Sequence, residues 1–390
     1  MKRQYLSSGL MKLEKMLFLL RYTISSRFSR DFMRIYRESL HRVNHPEDYH
    51  IDMPLHTRCA RIAVESFKLQ KGDAIPDIYQ PGKMWNQILQ SVVTYTRWNK
   101  EKDDSILIDA LSRFYRTDLI IGHSGDAYIW DIQKGELDFR LQVYMILQRY
   151  QEFTHGSLHF DPQKVTTTDV GQNISVPYGT QYLTFKIIRH AYYLNRMKEF
   201  SLIGEEGTII GELGTGAGEL AILAKKLFPT VRYLCFDLPE TLMVAMYNVL
   251  MSLPDAKVGL YSDFRERCRI TREDLLQYDL ILLPNWCIEW VDDDALDVCV
   301  NIGSLSEMDP SIIANYIRQI ERICRNAFYT VNRNIEITEF GERDVPVSEF
   351  PFSQNVTRVH GMYDRASDMF HMRYGMDYAC NYWEYVFRIT

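Results

Sequence analysis

The sequence predicts an α/β fold with a mostly parallel sheet, preceded by a mainly helical N-terminal region. Three observations lead there. From about residue 207 onward, short apolar runs alternate with helix-forming runs, the pattern of a parallel sheet covered on both faces. Residues 207–218 form an apolar strand ending in an acid and three alternating glycines, Glu212-Leu-Gly214-Thr-Gly216-Ala-Gly218. Residues 1–125, by contrast, show apolar positions at roughly helical spacing.

Taken in order, helical patterns cover Met11–Arg27, Asp31–Val43, Leu55–Lys71, Lys83–Trp98 and Ser105–Tyr115, and residues 126–155 suggest another. Glycines and prolines cluster over residues 156–180, which places a boundary between an N-terminal region, 1–155, and a C-terminal domain, 156–390. A loop and an aromatic-rich helix, Tyr182 to Tyr193, make residues 165–195 a candidate lid. The first domain strand leads through the glycines into a helix, Glu219 to Leu227, and then a second strand, Val231–Phe236, closed by Asp237. Further strands are expected at Lys257–Tyr261, Leu280–Leu283, Leu296–Ile302 and Ala327–Val331, with a long helix at Pro310–Cys324 capped by Asp309.

Composition narrows the class. With 46% hydrophobic and 25% charged residues among 390, the chain reads as an ordinary globular protein. Seven scattered cysteines without a Cys-x-x-Cys pair fit buried thiols in a reducing cytoplasm, and no zinc pattern is visible. The net charge of −6 is uneven: residues 1–45 hold ten Lys/Arg against three Asp/Glu. The apolar run Leu10–Leu20 is too short and too charged to span a bilayer and lacks a signal-peptide cleavage site. Residues 1–45 are therefore expected to pack on the acidic body, or to meet an anionic membrane surface or a partner. Outside them the chain is acidic, which argues against a nucleic-acid substrate.

The glycine loop carries the chemistry. Glycines permit positive φ and let a ligand lie against bare backbone. An acid at the tip of the second strand, Asp237, is placed to accept hydrogen bonds from a ribose diol. A dinucleotide fingerprint read from Gly214 would need glycine at position 219, which is Glu219. A carboxylate in that first helical turn would repel a pyrophosphate. S-adenosylmethionine carries no phosphate and has a sulfonium cation, so the acids suit it. In an open parallel sheet the ligand sits beyond the carboxyl ends of the strands. Leu238, Asn285 and Trp286 are thus expected beside the cofactor with Glu212, Gly214, Gly216, Gly218 and Asp237. Asn301 and Ser304 fall at another strand tip of the same cleft, as do Asn332 and Arg333.

Asn301-Ile-Gly-Ser-Leu-Ser-Glu-Met-Asp-Pro310, together with the glycine motif and Phe236-Asp-Leu-Pro-Glu240, resembles the sugar O-methyltransferase family of bacterial surface-polysaccharide biosynthesis. The resemblance covers roughly residues 165–335. It implies a Rossmann-like class I methyltransferase fold with a mostly parallel seven-stranded sheet, and S-adenosyl-L-methionine as methyl donor. It also implies that Gly214, Gly216, Gly218 and Asp237 contact the cofactor, while Asn301, Ser304 and Glu307 line the active-site cleft. The expected acceptor is a sugar or glycan, and the expected location is cytoplasmic or at the inner face of the membrane.

A sugar hydroxyl needs a general base. The candidates are Glu307, His360 in the C-terminal segment, and His155 and His159 before the lid. Asp292-Asp-Asp294 precedes a strand and reads as a solvated turn, so no metal site is expected. Two other readings of the same features are methylation of a different small metabolite and a catalytically silent methyltransferase-fold scaffold; an NAD-dependent dehydrogenase ranks last on the glycine spacing and the Glu219 charge.

Overall fold

A computed structural model of the chain describes residues 29–121, 136–204, 207–334, 338–339, 342–343, 345–366 and 382–390. The expected helix at Met11–Arg27 and most of the basic segment 1–45 lie outside the described residues.

The N-terminal helices are α1 (Ser29–Asn44), α2 (Met53–Gly72), α3 (Lys83–Ser91), α4 (Val93–Glu101), α5 (Ser105–Ser112) and α6 (Glu136–Thr154). The single helix expected over Lys83–Trp98 is two, parted at Val92, whose extended backbone (ψ 102°) ends α3 and begins α4. A short hairpin of β1 (Val176–Tyr178) and β2 (Gln181–Leu183) then leads into α7 (Phe185–Glu199), capped by the Thr184 hydroxyl accepting from the Ile187 amide at 3.0 Å.

The main sheet follows: β3 (Ile209–Leu213), α8 (Glu219–Leu227), β4 (Arg232–Asp237), α9 (Pro239–Ser252), β5 (Val258–Gly259), α10 (Tyr261–Phe264), α11 (Arg272–Gln277), β6 (Leu280–Pro284) and β7 (Leu296–Ile302). After α12 (Pro310–Ile323) and β8 (Cys324–Arg333) come two antiparallel two-residue strands, β9 (Thr338–Glu339) and β10 (Glu342–Arg343), and the long strands β11 (Val356–Tyr363) and β12 (Tyr382–Ile389). The eight strands lie in the order β11-β12-β8-β7-β3-β4-β6-β5. β12 pairs antiparallel with both β8 and β11, and the strands from β8 to β5 are mutually parallel.

This is a Rossmann-like α/β architecture with a mostly parallel sheet, and with an eighth, two-residue edge strand, β5, beyond the seven expected. The expected strand Lys257–Tyr261 shrinks to Val258–Gly259 because the chain turns at once into α10. The C-terminal segment is part of the sheet, as β11 and β12.

β3 and β6 are buried throughout and β7 up to its last residue, which explains why these runs are apolar but for Glu212, Asp297 and Asn301. One hydrophobic cluster reaches from Phe32 and Phe67 through Leu183 and Leu223 to Val386, so the helical region and the sheet share a core. Polar contacts join them as well: among others, His56 Nδ1 lies 2.9 Å from the Tyr247 hydroxyl, Tyr95 donates to the Glu240 carbonyl at 2.8 Å, and Arg265 pairs with Asp73. Among the described residues no helix is long and apolar enough to cross a membrane.

Candidate active site at the carboxyl edge of the sheet

β3 delivers the chain to the glycine loop. Gly214, Gly216 and Gly218 all have positive φ (79°, 57° and 75°), which returns the backbone over the end of β4. The Gly214 amide donates to the Phe236 carbonyl at 2.8 Å, tying the loop to that strand. A Cβ at Gly214 would stand 2.3 Å from Ser304 Oγ, so the glycine makes room for the β7 tip rather than for open solvent.

Two acids border the loop. Asp237 Oδ2 accepts from the Gly216 amide and Oδ1 from the Leu238 amide, both at 2.8 Å. Glu212 accepts from the Thr215 hydroxyl at 2.9 Å and is 3% exposed. Burial pushes both carboxyls up to about 7, against the pull of those hydrogen bonds.

A third acid, Glu219, opens α8. It is buried and matched by Lys186 of α7 at 2.6 Å, while the Tyr115 hydroxyl donates to its other oxygen at 2.7 Å. Sequence reading missed Lys186 and Tyr115. Neither had a cue in the sequence: Lys186 is one of four Lys/Arg in α7, and only folding brings Tyr115 to residue 219.

At the tips of β7 and β8 the structure gathers Asn301, Ser304 and Asn332. Asn301 Nδ2 donates to the Leu213 carbonyl at 2.8 Å and to Ser304 Oγ at 2.6 Å, and its Oδ1 accepts from Asn332 Nδ2 at 2.7 Å. Asn301 and Asn332 are fully buried. They therefore fasten β3, β7 and β8 to one another, and their amide groups are engaged within the protein. Beside them Glu307 faces Arg333, with 3.9 Å between Oε1 and Nη2, and the Arg333 guanidinium lies 5.6 Å from the ring centroid of Tyr382.

The remaining expected residues are spread out. Leu238 borders a cleft of about 280 Å³ shared with the N-terminal helices. Asn285 is 5% exposed and donates through Nδ2 to the Tyr79 carbonyl and the Tyr316 hydroxyl, both at 2.9 Å. Trp286 packs edge-on against Tyr261 in the core, 6.1 Å between centroids. His360 stands on the far strand β11, and its cross-strand row runs through Val386, Tyr329 and Val300 to Glu212. Four strand spacings put the two about 19 Å apart. There His360 stacks near Phe200 (4.7 Å) and lies 3.7 Å from Glu384; burial and the Arg196 charge hold its pKa below the usual value. His155 is exposed, and the amide of His159 is bonded to Asn195. The structure brings the glycine loop, Asp237, Asn301, Ser304 and Glu307 to one edge, and leaves His360 at the opposite side of the sheet.

Asp292 and Asp293 are paired with Arg269 and Arg322, both at 2.8 Å. Among the described residues, no three His, Cys, Asp or Glu side chains are grouped to hold a metal ion.

No family model and no curated protein matches the chain. Among solved structures it is similar to the mitomycin 7-O-methyltransferase MmcR, with 13% identity over 70% of this chain and 75% of that one and a TM-score of 0.33. It is also similar to the pyocyanin biosynthetic protein PhzM (14% identity, 53% and 57%, TM-score 0.29). A Methanococcus maripaludis protein described as an S-adenosyl-L-methionine-dependent methyltransferase shows 17% identity over 40% and 58%, with a TM-score of 0.26. These likenesses are distant. The fold stands on its own strand order.

Proposed function

We propose that the chain is an S-adenosylmethionine-dependent O-methyltransferase that acts on a sugar hydroxyl in the synthesis of a surface polysaccharide or glycan. The observation that carries this reading is the buried Asp237 carboxylate at the β4 tip, set against the positive-φ glycine loop. A carboxylate there suits a ribose diol, which offers two donors to one acceptor group. The donor set also fits a cationic, phosphate-free ligand: three carboxylates, Glu212, Asp237 and Glu219, surround the loop, and the nearby cation Lys186 is already matched by Glu219. Because that pair is closed, Lys186 is not offered to a phosphate at the start of α8.

In this reading Asp237 holds the ribose, Leu238 backs the nucleobase, and Glu212 with Gly214, Gly216 and Gly218 borders the amino-acid end. S-adenosylmethionine, when bound, supplies an electrophilic methyl group on a sulfonium leaving group. The chain contributes orientation, which for such a displacement is a large share of the catalysis. It also needs a proton acceptor, and Glu307 is the carboxylate at the right strand tip; the neighbouring Arg333 positions it. The sugar acceptor rests on the resemblance of the motif around Asn301–Glu307.

The test is calorimetric titration with S-adenosylhomocysteine, followed by a radiolabelled methyl-transfer screen over nucleotide sugars and glycans. Micromolar binding and label transfer to a hydroxyl are expected. Folded protein that binds no S-adenosylhomocysteine would overturn the reading.

A further inference from the structure

The corner just past Asp237 is not closed by the sheet alone. Leu238, Pro239 and Glu240 form one wall of a cleft of about 280 Å³, and α2, α3, α4 and the 3-10 turn at Asp77–Tyr79 form the other. The volume is near the lower end for small-molecule sites. It leaves room for one pyranose ring.

Carboxamides are prominent in the lining of this cleft. Four carboxamides, Gln80, Asn86, Gln90 and Asn99, line it. Gln80 and Asn86 each donate to a nearby backbone carbonyl, Ile75 at 3.0 Å and Pro81 at 2.7 Å, which fixes those two side chains. Gln90 and Asn99 are exposed and, among the described residues, have no partner. A carboxamide both donates and accepts, as a sugar hydroxyl does, so an array of them matches a polyol.

The floor is aromatic and held in place. Tyr79 donates its hydroxyl to Glu289 at 2.9 Å, and Tyr95 donates to the Glu240 carbonyl at 2.8 Å. The one cation of the lining, Lys71, is paired with the one anion, Glu240, at 2.9 Å. The cleft thus presents no net charge. A phosphate or carboxylate ligand would find no unmatched cation there.

We propose that this cleft binds a neutral saccharide unit, a pyranose of the acceptor glycan other than the one that is methylated. Its service as an acceptor subsite rests on the methyl-transfer reading above; saccharide binding by the cleft does not. The free amides of Gln90 and Asn99 hold hydroxyls, and the half-buried Ile75, Pro81 and Leu89 take the apolar face of the ring.

The experiment uses the full chain and saturation-transfer NMR with methyl glycosides of glucose, mannose, rhamnose and N-acetylglucosamine, with affinities for any that bind. Gln90→Ala/Asn99→Ala removes the free amides at exposed positions, and Thr96→Trp, also exposed, fills the cleft. S-adenosylhomocysteine is titrated in parallel against each variant. At least one glycoside is expected to bind the wild type and to bind about tenfold more weakly to the double variant. S-adenosylhomocysteine affinity is expected to stay unchanged. No binding of any glycoside, or binding indifferent to both variants, would overturn the proposal. So would a parallel loss of S-adenosylhomocysteine affinity, which would make the cleft the nucleobase end of the cofactor site. Glycoside binding without S-adenosylhomocysteine binding would sustain the cleft and sink the methyl-transfer reading.

Discussion

Asp237 and Gly216 are joined across the mouth of the glycine loop, carboxylate oxygen to backbone amide, at 2.8 Å. The contact couples the tip of β4 to the loop that leaves β3, so the acid is held in place before any ligand arrives. Because burial pushes Asp237 up to about 7, the same acid also carries a proton balance near neutrality. A diol hydrogen-bonded to it would favour its ionised form. Asp237→Ala should therefore abolish S-adenosylhomocysteine binding. In the wild type near neutral pH, the binding enthalpy should vary with the ionisation enthalpy of the buffer, reporting proton release. An enthalpy independent of buffer would remove Asp237 from the ribose site.

Glu212 has the same elevated pKa, about 7 against an ordinary 4.5. The folded state then binds a proton that the unfolded state has released between those two values, so stability falls as pH rises through that window. Above it the full cost is present, on the order of 3 kcal/mol. Urea unfolding of Glu212→Gln should show the variant gaining on the wild type at pH 8 relative to pH 5. Equal differences at both pH values would mean that Glu212 is ionised throughout.

Gly214 is constrained twice, by φ of +79° and by Ser304 Oγ, which lies 2.3 Å from the point a Cβ would occupy. Gly214→Ala should cost more than the ~1–2 kcal/mol of left-handed strain alone. Adding Ser304→Gly removes the steric part and should recover some of that loss in thermal unfolding. No recovery would show that strain accounts for all of it.

Lys186 and Glu219 form a buried pair at 2.6 Å that joins α7 to the start of α8. Lys186→Met leaves Glu219 without its counter-charge and should destabilise by about 3–5 kcal/mol. The double variant Lys186→Met/Glu219→Gln should regain much of this in denaturant unfolding, since no bare charge remains. A double variant as unstable as the single would place the loss in packing instead.

Glu307 is the proposed proton acceptor, so its effect belongs in turnover and not in cofactor affinity. Glu307→Gln should lower kcat by about 10²–10⁴ with the acceptor found by screening, leaving S-adenosylhomocysteine binding intact. His360→Gln, some 19 Å from Glu212 by strand spacing, should leave kcat near the wild-type value. The reverse outcome would exchange their roles.

Much of the architecture was legible because it is local. The run Ile209–Leu213 is apolar at every position but Glu212, and Gly214, Gly216 and Gly218 announce a turn only glycine makes easily. Strand Leu296–Ile302 was readable to the residue for the same reason. Where a signal was split, reading failed: the continuous helical pattern over Lys83–Trp98 hides the break at Val92, since one extended residue leaves the periodicity nearly intact.

By itself, then, the sequence determined the α/β class, the glycine turn, the acids that flank it and the strand tips that could border a ligand. These follow from periodicity and backbone conformation, which depend on neighbours along the chain. Tertiary structure alone decided that Asn301 and Asn332 are spent binding strands together, that Lys186 and Tyr115 converge on Glu219, and that His360 sits across the sheet. It also placed Gln90 and Asn99 beside Leu238 in one cleft. Each of those relationships joins residues far apart in the chain, and side-chain partners at such separations are set by packing, which leaves no periodic trace in the sequence.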